Sequence, residues 1–264
     1  MKSFIRNFLY TALIAQICTT VVKAKVNMPG SPNSGPLSGS TQPDSGWISL
    51  FNGKTLDGWQ VKCLPEDRNK TYWKVEDGTI TCNSLDDKSH NYVWLVSEAE
   101  YKNFELRLSF MAYRDSPGNS GVQIRSRFDD SPGAPNGGWM DGPQVDIQPP
   151  DPFRTGLIYD ETREEKRWIH PDLKDWQIDS SYAAPEWSFK YAEEGWNELT
   201  IFCNGTYIRT ILNGDVITDW NGKGVLDNQA HKSHHIDKSG HIALQLHARD
   251  ALKINFKNIR IRKL

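Results

Sequence analysis

The sequence predicts an all-β fold, a sandwich of two sheets with jelly-roll topology. Short alternating or apolar segments recur at intervals of about ten residues, and Gly, Asn, Asp and Pro separate them. Asp-Gly and Asn-Gly steps at 77–78 and 213–214 supply the positive φ angles of tight hairpin turns. No window much longer than about ten residues repeats apolar residues at the helical period. Many short strands at this spacing are typical of sandwiches and jelly rolls.

The N-terminal segment does not share this pattern. Residues 1–24 place Lys2 and Arg6 before an apolar run that is too short to span a bilayer, which predicts a cleaved secretory signal peptide. Residues 25–45 are rich in Pro, Gly and Ser and predict a flexible linker. We therefore expect a secreted or periplasmic protein with one folded domain over 46–264 and no membrane span once the signal peptide is removed.

Strand character recurs along the whole of this predicted domain. The predicted strands are 47–51, 73–75, 79–82, 92–96, 104–111, 121–126, 144–148, 198–203, 207–212, 216–218, 241–246 and 252–262. In the clearest of them, 104–110, four apolar side chains alternate with Glu, Arg and Ser. The last strand changes phase at Lys257-Asn258, which predicts a β-bulge there.

Three cysteines remain after the predicted signal peptide. Because a secreted protein folds in an oxidising compartment, Cys63 and Cys82, which are near each other in sequence, are the expected disulfide pair. Cys203 lies within a strand pattern, and we expect it to pack as a small apolar side chain.

Composition restricts the classes of partner. The formal net charge of −2 at pH 7 gives no reason to expect nucleic acid or an anionic membrane surface. Ten tryptophans are many for this length, and Trp139 lies in a polar segment. An aromatic face beside polar groups is typical of carbohydrate-binding surfaces, although a Trp packed at the rim of the fold is the alternative.

Three predicted strands carry the same outward chemistry. Period-2 alternation turns their apolar side chains towards the core and leaves amide, guanidinium, carboxylate and imidazole groups on the other face. These outward residues are Gln123 and Arg125, Gln144 and Asp146, and Gln245 and His247. If the strands are neighbours, this face suits a polyhydroxylated ligand, and its Asp and His are candidates for proton transfer near neutral pH. The alternative is an ordinary solvated face.

Two flanking segments extend the predicted polar face. Asn119 lies in the turn that leads into the first of the three strands, from which its side chain could reach over the edge of the face. A charged cluster that runs from Tyr159 through Glu161 to Arg163 follows the second strand, and we expect it to form a wall beside the face.

Several motifs resemble, in order, those of a known family. They include Gly46-Trp-Ile-Ser-Leu-Phe-Asn-Gly, Tyr101-Lys-Asn-Phe-Glu-Leu-Arg, Gly118-Asn-Ser-Gly-Val-Gln-Ile-Arg-Ser, Gln144-Val-Asp-Ile and Gly240-His-Ile-Ala-Leu-Gln-Leu-His. With them the chain resembles the 3-keto-disaccharide hydrolase domain family over essentially all residues after the linker. The resemblance implies a concanavalin A-like, glucanase-like jelly roll, and an enzyme of glycan-degrading bacteria that cleaves sugars oxidised at C3.

The implied reaction is an elimination followed by a hydration. A ketone at C3 acidifies the proton at C2, so a base can remove that proton and expel the C1 substituent, after which water adds to the double bond. Such a path needs a base, an acid for the leaving oxygen, and donors for the enolate oxygen. It does not need the paired carboxylates of ordinary glycosidases.

The resemblance and the outward face together suggest roles for individual residues. Asp146 or His247 is expected to act as base and acid, with Glu161 and Tyr159 as further proton donors or acceptors. The residues expected to hold the sugar or the enolate oxygen are Asn119, Gln123, Arg125, Gln144, Arg163, Gln245 and Trp139. Some members of the family use a divalent metal ion, which makes Asp146, Glu161 and His247 candidate ligands as well.

The chain also departs from a common pattern of the family. Many members have Glu-x-Gln-Ile where this chain has Gln144-Val-Asp146-Ile, and Gln-Asp-His-Gly where it has Gln245-Leu-His247-Ala. These differences indicate a distinct branch. The alternative function, from a different class, is a non-catalytic carbohydrate-binding module that uses the same polar face.

Overall fold

Two antiparallel sheets pack face to face in the computed structural model of this chain. It describes residues 46–150, 153–174, 177–178 and 189–264, so the predicted signal peptide and linker lie outside the described residues. The all-β sandwich predicted from sequence is confirmed. No helix within the described ranges is long and apolar enough to cross a membrane.

Each sheet contains eight strands, numbered here in chain order. Sheet 1 runs through β14 (Asp215–Asn221), β13 (Tyr207–Leu212), β12 (Asn197–Asn204), β6 (Phe104–Pro117), β16 (Leu252–Lys263), β4 (Thr79–Asn83) and β3 (Trp73–Glu76), with β1 (Trp47–Ser49) paired to β16. Sheet 2 runs through β11 (Arg167–His170), β10 (Ile158–Asp160), β9 (Pro143–Ile147), β7 (Ser120–Asp129), β15 (Gly240–Leu246), β5 (Val93–Tyr101) and β2 (Trp59–Cys63), with β8 (Trp139–Asp141) paired to β7. The strands β9, β7 and β15 are neighbours, as the polar face requires.

The core lies between the sheets and follows the predicted alternation. In β6 the four apolar side chains at 104–110 are at most 1% exposed. From sheet 2, Val145 and Ile147 of β9 and Leu244 and Leu246 of β15 pack into the same cluster. The intervening residues of these strands must therefore point to the outer face of sheet 2.

The predicted turns and bulge are also present. Asp77 and Asn213 have φ angles of +48° and +51°, and each precedes a glycine with positive φ, as tight hairpins require. The pairing of β16 with β6 shifts register between Lys257 and Arg260, where Asn258 has a φ angle of +54°. The bulge reverses which face the following side chains occupy.

Some short elements were not predicted. The strands β2, β8, β10 and β11 have three to five residues, too few to show a clear period. The helix α1 (Gln229–Ser233) and the 3₁₀ turns Pro65–Asp67 and Pro135–Gly137 are equally short. Asn228 caps α1 by accepting a hydrogen bond from the backbone N–H of His231 at 3.0 Å.

The expected disulfide between Cys63 and Cys82 is wrong. Both thiols are free and buried, because Cys63 lies on β2 of sheet 2 whereas Cys82 lies on β4 of sheet 1. The packing expected for Cys203 is confirmed, since it is 1% exposed within the core. Burial raises the pKa of the Cys203 thiol to about 11.

Candidate active site

A cavity of about 720 Å³ opens on the outer face of sheet 2, and its volume is suited to a small saccharide. Strands β9, β5 and β15 and the loops at their ends supply most of its lining. Seven of the predicted site residues line it: Asn119, Trp139, Gln144, Asp146, Tyr159, Glu161 and His247. The structure thus brings together one aspartate, one glutamate and one histidine that are far apart in sequence.

Asp146 lies on the floor of the cavity and is 3% exposed. Its Oδ1 accepts hydrogen bonds from Asn119 Nδ2 at 2.9 Å and from Gln144 Nε2 at 3.3 Å. Its Oδ2 has no hydrogen-bond partner among the described residues. Burial raises the pKa of Asp146 to about 6, and the hydrogen bond from Asn119 only partly opposes the effect.

A glycine on the neighbouring strand makes room for the amide that holds Asp146. Gly121 on β7 is the register partner of Asp146 on β9. A Cβ atom at Gly121 would lie 2.3 Å from Gln144 Cδ, closer than any real contact allows. The side chain of Gln144 therefore lies across Gly121, and any larger residue there would displace it.

Glu161 follows β10 directly and is 5% exposed. Its backbone N–H donates to the carbonyl of Gly142 at 3.0 Å, and its own carbonyl accepts from Trp139 Nε1 at 2.8 Å. Its Oε1 accepts from Gln245 Nε2 at 3.2 Å. Burial raises the pKa of Glu161 to about 7; His247 and Gln245 partly offset this, whereas the charge of Asp146 adds to it.

Three neighbouring side chains, Asp250, His247 and Tyr92, form the opposite wall. Asp250 Oδ1 lies 3.5 Å from Nδ1 of His247, and the hydroxyl of Tyr92 lies 3.0 Å from Nε2 of the same ring. Burial alone lowers the pKa of His247, but Asp250 and the two cavity carboxylates raise it above its ordinary value. Burial, reinforced by nearby negative charge, raises the pKa of Tyr92 well above its usual range. The Tyr92 hydroxyl therefore keeps its proton.

Aromatic rings close the sides of the cavity. The ring of Tyr159 meets that of Trp168 edge-on, with centroids 5.2 Å apart. Trp139 is 8% exposed and packs edge-on against Tyr92 and Trp94. Trp139 is therefore more a structural wall than an open stacking platform, which is the alternative left open by the sequence.

Gln123 and Gln245 occupy the predicted face but lie beneath the cavity. Both are fully buried and neither lines the cavity, because β8 and an aromatic cluster around Trp94 cover this part of the face. Gln245 reaches the cavity only through Glu161. Both polar atoms of Gln123 lack a hydrogen-bond partner within the described part of the chain. The direct sugar contacts predicted for these two residues are therefore wrong.

The predicted role of Arg125 in substrate binding is also wrong. Its φ angle of +55° and a register shift between β7 and β15 interrupt the alternation, so its guanidinium leaves the polar face. Arg125 instead donates to the carbonyl oxygens of Lys102 at 2.7 Å and Gly205 at 2.6 Å. These hydrogen bonds connect the turn between β5 and β6 to the turn between β12 and β13.

Arg163 is a structural residue too, contrary to the prediction. It does not line the cavity, and its guanidinium pairs with the carboxylates of Asp129, at 2.8 Å, and Asp141. Its backbone N–H also donates to Asp141 Oδ1 at 3.0 Å. These contacts fix the loop that carries Glu161, which gives Arg163 an indirect effect on the cavity.

Several lining residues were missed in the sequence. Val93 and Leu95 of β5 point into the core, so alternation could have placed Tyr92 on the polar face. Asp250 follows His247 by three residues in a loop, where no period applies. The lining also contains four cationic residues that were not predicted: Lys88, Arg154, Lys166 and Arg249.

The side chains do not form the metal-ligand set that the resemblance suggests. Within the described ranges, no three His, Cys, Asp or Glu side chains are grouped so that they could hold a metal ion. The two ring nitrogens of His247 face Asp250 and Tyr92, while Asp146 and Glu161 each accept from amides.

Comparison with known proteins gives one family and a shared fold. The profile of the 3-keto-alpha-glucoside-1,2-lyase-like domain matches residues 46–262. Over 80 residues the chain is 32% identical to a 3-keto-disaccharide hydrolase of Bacteroides thetaiotaomicron, a match that covers 29% of this chain and 26% of that relative. The matched segment thus spans about a quarter of the relative's length.

Two solved structures from another bacterium match most of this chain. A candidate glycosyl hydrolase of Parabacteroides distasonis superposes with a TM-score of 0.52 at 22% identity, covering 83% of this chain and 94% of that one. A second candidate glycosyl hydrolase from the same species gives a TM-score of 0.47 at 24% identity, covering 83% and 99%. The first of these likenesses supports the two-sheet sandwich.

Proposed function

The chain belongs to the 3-keto-alpha-glucoside-1,2-lyase-like family, and on that premise we propose that it cleaves 3-keto-glycosides by elimination and hydration. One observation carries the proposal. Two buried carboxylates with pKa values of about 6 and about 7 line the same saccharide-sized cavity as a histidine. Perturbed acids of this kind in a cavity are typical of catalytic sites.

Asp146 is the base in this mechanism. With a pKa of about 6 it is mostly ionised at pH 7, yet it is far more basic than an ordinary aspartate. Asn119 and Gln144 hold one carboxylate oxygen, which leaves Oδ2 free of protein partners to accept the proton. The C2–H bond breaks, the proton moves to Oδ2, and the electron pair forms the enolate with its charge on the C3 oxygen.

Glu161 is the acid for the leaving group. With a pKa of about 7, the side chain is protonated in about half of the molecules at neutral pH. As the enolate re-forms the C3 ketone, the C1–O bond breaks and Glu161 donates its proton to the departing oxygen. Ionised Glu161 then takes a proton from water as the water oxygen bonds to C1 of the C1=C2 double bond. The proton on Asp146, after exchange with solvent, adds to C2, so both carboxyls are restored and the net result is hydrolysis.

Tyr92 is the donor for the enolate oxygen. When His247 is protonated, its Nε2 donates to the Tyr92 oxygen at 3.0 Å, and the Asp250 carboxylate 3.5 Å from Nδ1 favours this cationic form. This arrangement leaves the hydroxyl hydrogen of Tyr92 free to point at a substrate oxygen. A donor that is polarised by a neighbouring cation stabilises the charge that develops on the C3 oxygen.

The lining of the cavity supports a carbohydrate substrate, and the N-terminal sequence supports a location outside the cytoplasm. Walls of Tyr159 and Trp168 beside polar floor groups suit a carbohydrate, with an apolar ring edge for the sugar and amides for its hydroxyls. Action outside the cytoplasm, in the periplasm or the medium, is consistent with the leader predicted over residues 1–24.

The test uses purified protein, a panel of 3-keto-glycosides and the corresponding ordinary glycosides, in water and in D₂O. We expect release of the aglycone from 3-keto-glycosides alone, and one deuterium at C2 of the sugar product, because the C2–H bond is broken and remade. Direct displacement at C1 would leave C2 unlabelled. A folded protein that leaves every 3-keto-glycoside intact, or that gives products without C2 deuterium, overturns the proposal.

A further inference from the structure

The mouth of the cavity is cationic although the chain as a whole is not. Lys88, Arg154, Lys166 and Arg249 all line the cavity, whereas the formal net charge of the chain is −2. Among the described residues, no carboxylate forms an ion pair with any of the four. The side chain of Lys166 instead stacks on the Trp139 ring at 4.0 Å, and the guanidinium of Arg154 lies 5.9 Å from the centre of the Trp168 ring. These positive charges are therefore available to a ligand.

Of the four, Arg154 gives the strongest indication of a bound anion. It is half-buried, and its Nε is buried without a hydrogen-bond partner within the described part of the chain. A buried, unsatisfied N–H of a guanidinium costs free energy unless a ligand supplies an acceptor. Arg163, which does not line the cavity, differs from Arg154 because two aspartates pair with its guanidinium.

We propose that the substrate of this enzyme is an acidic 3-keto-glycoside whose oxyanion group binds Arg154. The proposal rests on the proposed function and names the class of substrate for that reaction. The planar fork of a guanidinium matches the paired oxygens of a carboxylate, sulfate ester or phosphate ester. Lys88, Lys166 and Arg249, which are exposed at the mouth, attract the same anion from a distance.

The position of Arg154 also fits the chemistry of the site. Arg154 and Asp146 line the same cavity, and the charge of Arg154 lowers the pKa of Asp146. An anion bound to Arg154 would therefore lie in the same cavity as the substrate carbon that Asp146 deprotonates. Pairing of that anion with Arg154 would also keep its charge from repelling the Asp146 carboxylate.

The experiment compares matched neutral and acidic 3-keto-glycosides. The pairs are a glucoside against a glucuronide, a 6-hydroxyl against a 6-sulfate, and a phenyl against a carboxyphenyl aglycone. We expect kcat/KM to favour the acidic member of at least one pair by about 10-fold or more, and this preference to shrink at high salt. The three pairs show which oxyanion is recognised and on which side of the scissile bond it lies.

Two variants separate recognition from general electrostatics. Arg154→Gln should lower the acidic-to-neutral ratio of kcat/KM by about 10- to 100-fold, the size expected for a charge-assisted pair. The matched control is Arg107→Gln, which removes one positive charge from sheet 1 and should leave the ratio as it is. If Arg154→Gln lowers both members of every pair equally, Arg154 serves the enolate oxygen instead and the proposal is wrong.

The remaining outcomes also decide the question. Equal turnover of acidic and neutral substrates by the unchanged protein overturns the acidic substrate but leaves the proposed reaction intact. If no 3-keto-glycoside is cleaved, the proposed reaction fails, and calorimetric binding of glucuronic acid-containing against neutral oligosaccharides tests the subsite by itself. Weaker binding of the acidic sugars in that measurement would overturn it.

Discussion

The outer faces of the two sheets carry polar residues at the same alternating positions but differ in how completely their carboxylates are paired. On sheet 1, Glu105 of β6 accepts from Arg107 at 2.8 Å through one oxygen and from Arg262 at 2.5 Å through the other. On sheet 2, four outward polar residues are at most 3% exposed, and each has at least one atom unpaired in the described structure: Gln123, Gln144, Asp146 and Gln245.

The difference separates polar groups that stabilise the fold from those that a site requires. Each unsatisfied buried polar atom costs about 1–3 kcal/mol, so a sheet that served stability alone would pair or replace these groups. The unpaired Oδ2 of Asp146 is buried at the floor of the cavity that its residue lines, so a substrate in that cavity would lie beside it. An unpaired carboxylate oxygen on a residue that lines a cavity, more than a polar residue as such, marks the functional face.

The largest effect expected is on catalysis. Asp146→Asn removes the base without changing the shape of the side chain, so we expect kcat on a 3-keto-glycoside to fall by about 10²- to 10⁴-fold. The control is Glu105→Gln, the corresponding change on sheet 1, which should keep full activity. Both are measured by aglycone release alongside sugar binding by calorimetry.

The same pair of variants distinguishes an enzyme from a binding module. Retained binding with lost turnover in Asp146→Asn is the expected result. If Asp146→Asn cleaves as fast as the unchanged protein, Asp146 is not the base. If neither protein cleaves any substrate while both bind sugar, the outer face of sheet 2 is a carbohydrate-binding surface only.

How far alternation predicts this face depends on the strand. On β9 the period-2 rule placed Gln144 and Asp146 correctly, because the pairing of β9 with β7 is regular over this stretch. On β7 it failed at Arg125, since a positive φ angle and a register shift turn the side chain away, and neither is visible in the sequence.

The residues that bury part of the polar face could not be predicted from the sequence either. Sequence predicted the neighbouring strands and the carboxylates, but not that β8 and the Trp94 cluster would bury Gln123. Loop residues such as Asp250 and Arg154 reach the cavity through tertiary packing, which leaves no periodic signal in the sequence. The fold was thus predictable from local patterns, whereas the boundary of the site was not.

The next effect is on stability, and its sign should differ between the sheets. Burial raises the pKa of Asp146 from its ordinary value near 4 to about 6, so the folded state loses stability as pH rises between these values, and the loss is complete above about pH 6. Asp146→Asn should therefore raise the free energy of unfolding at pH 7 by about 3 kcal/mol. Little of this gain should remain at pH 4.

Glu105 provides the opposite case. Burial alone would raise its pKa, but Arg107 and Arg262 hold it below the ordinary value, so its stabilising contribution is present at neutral pH and is lost as pH falls through the folded-state pKa. Glu105→Gln should lower the free energy of unfolding at pH 7 by less than about 1 kcal/mol. Urea titrations at pH 7 and pH 4 measure both variants. Equal signs at pH 7 would contradict the contrast between the sheets.

The smallest expected effect concerns a polar residue of sheet 2 that does not line the cavity, and it tests whether that residue is needed for activity or stability. Gln123 is fully buried, both its amide atoms are unpaired within the described ranges, and its register partner Ala243 belongs to the apolar cluster over the face. Gln123→Met keeps the length of the side chain and removes the amide, so we expect about 1 kcal/mol more stability in urea titration and unchanged kcat/KM. A loss of stability would show that the amide has partners in solution. A loss of activity would extend the functional face beneath the floor of the cavity.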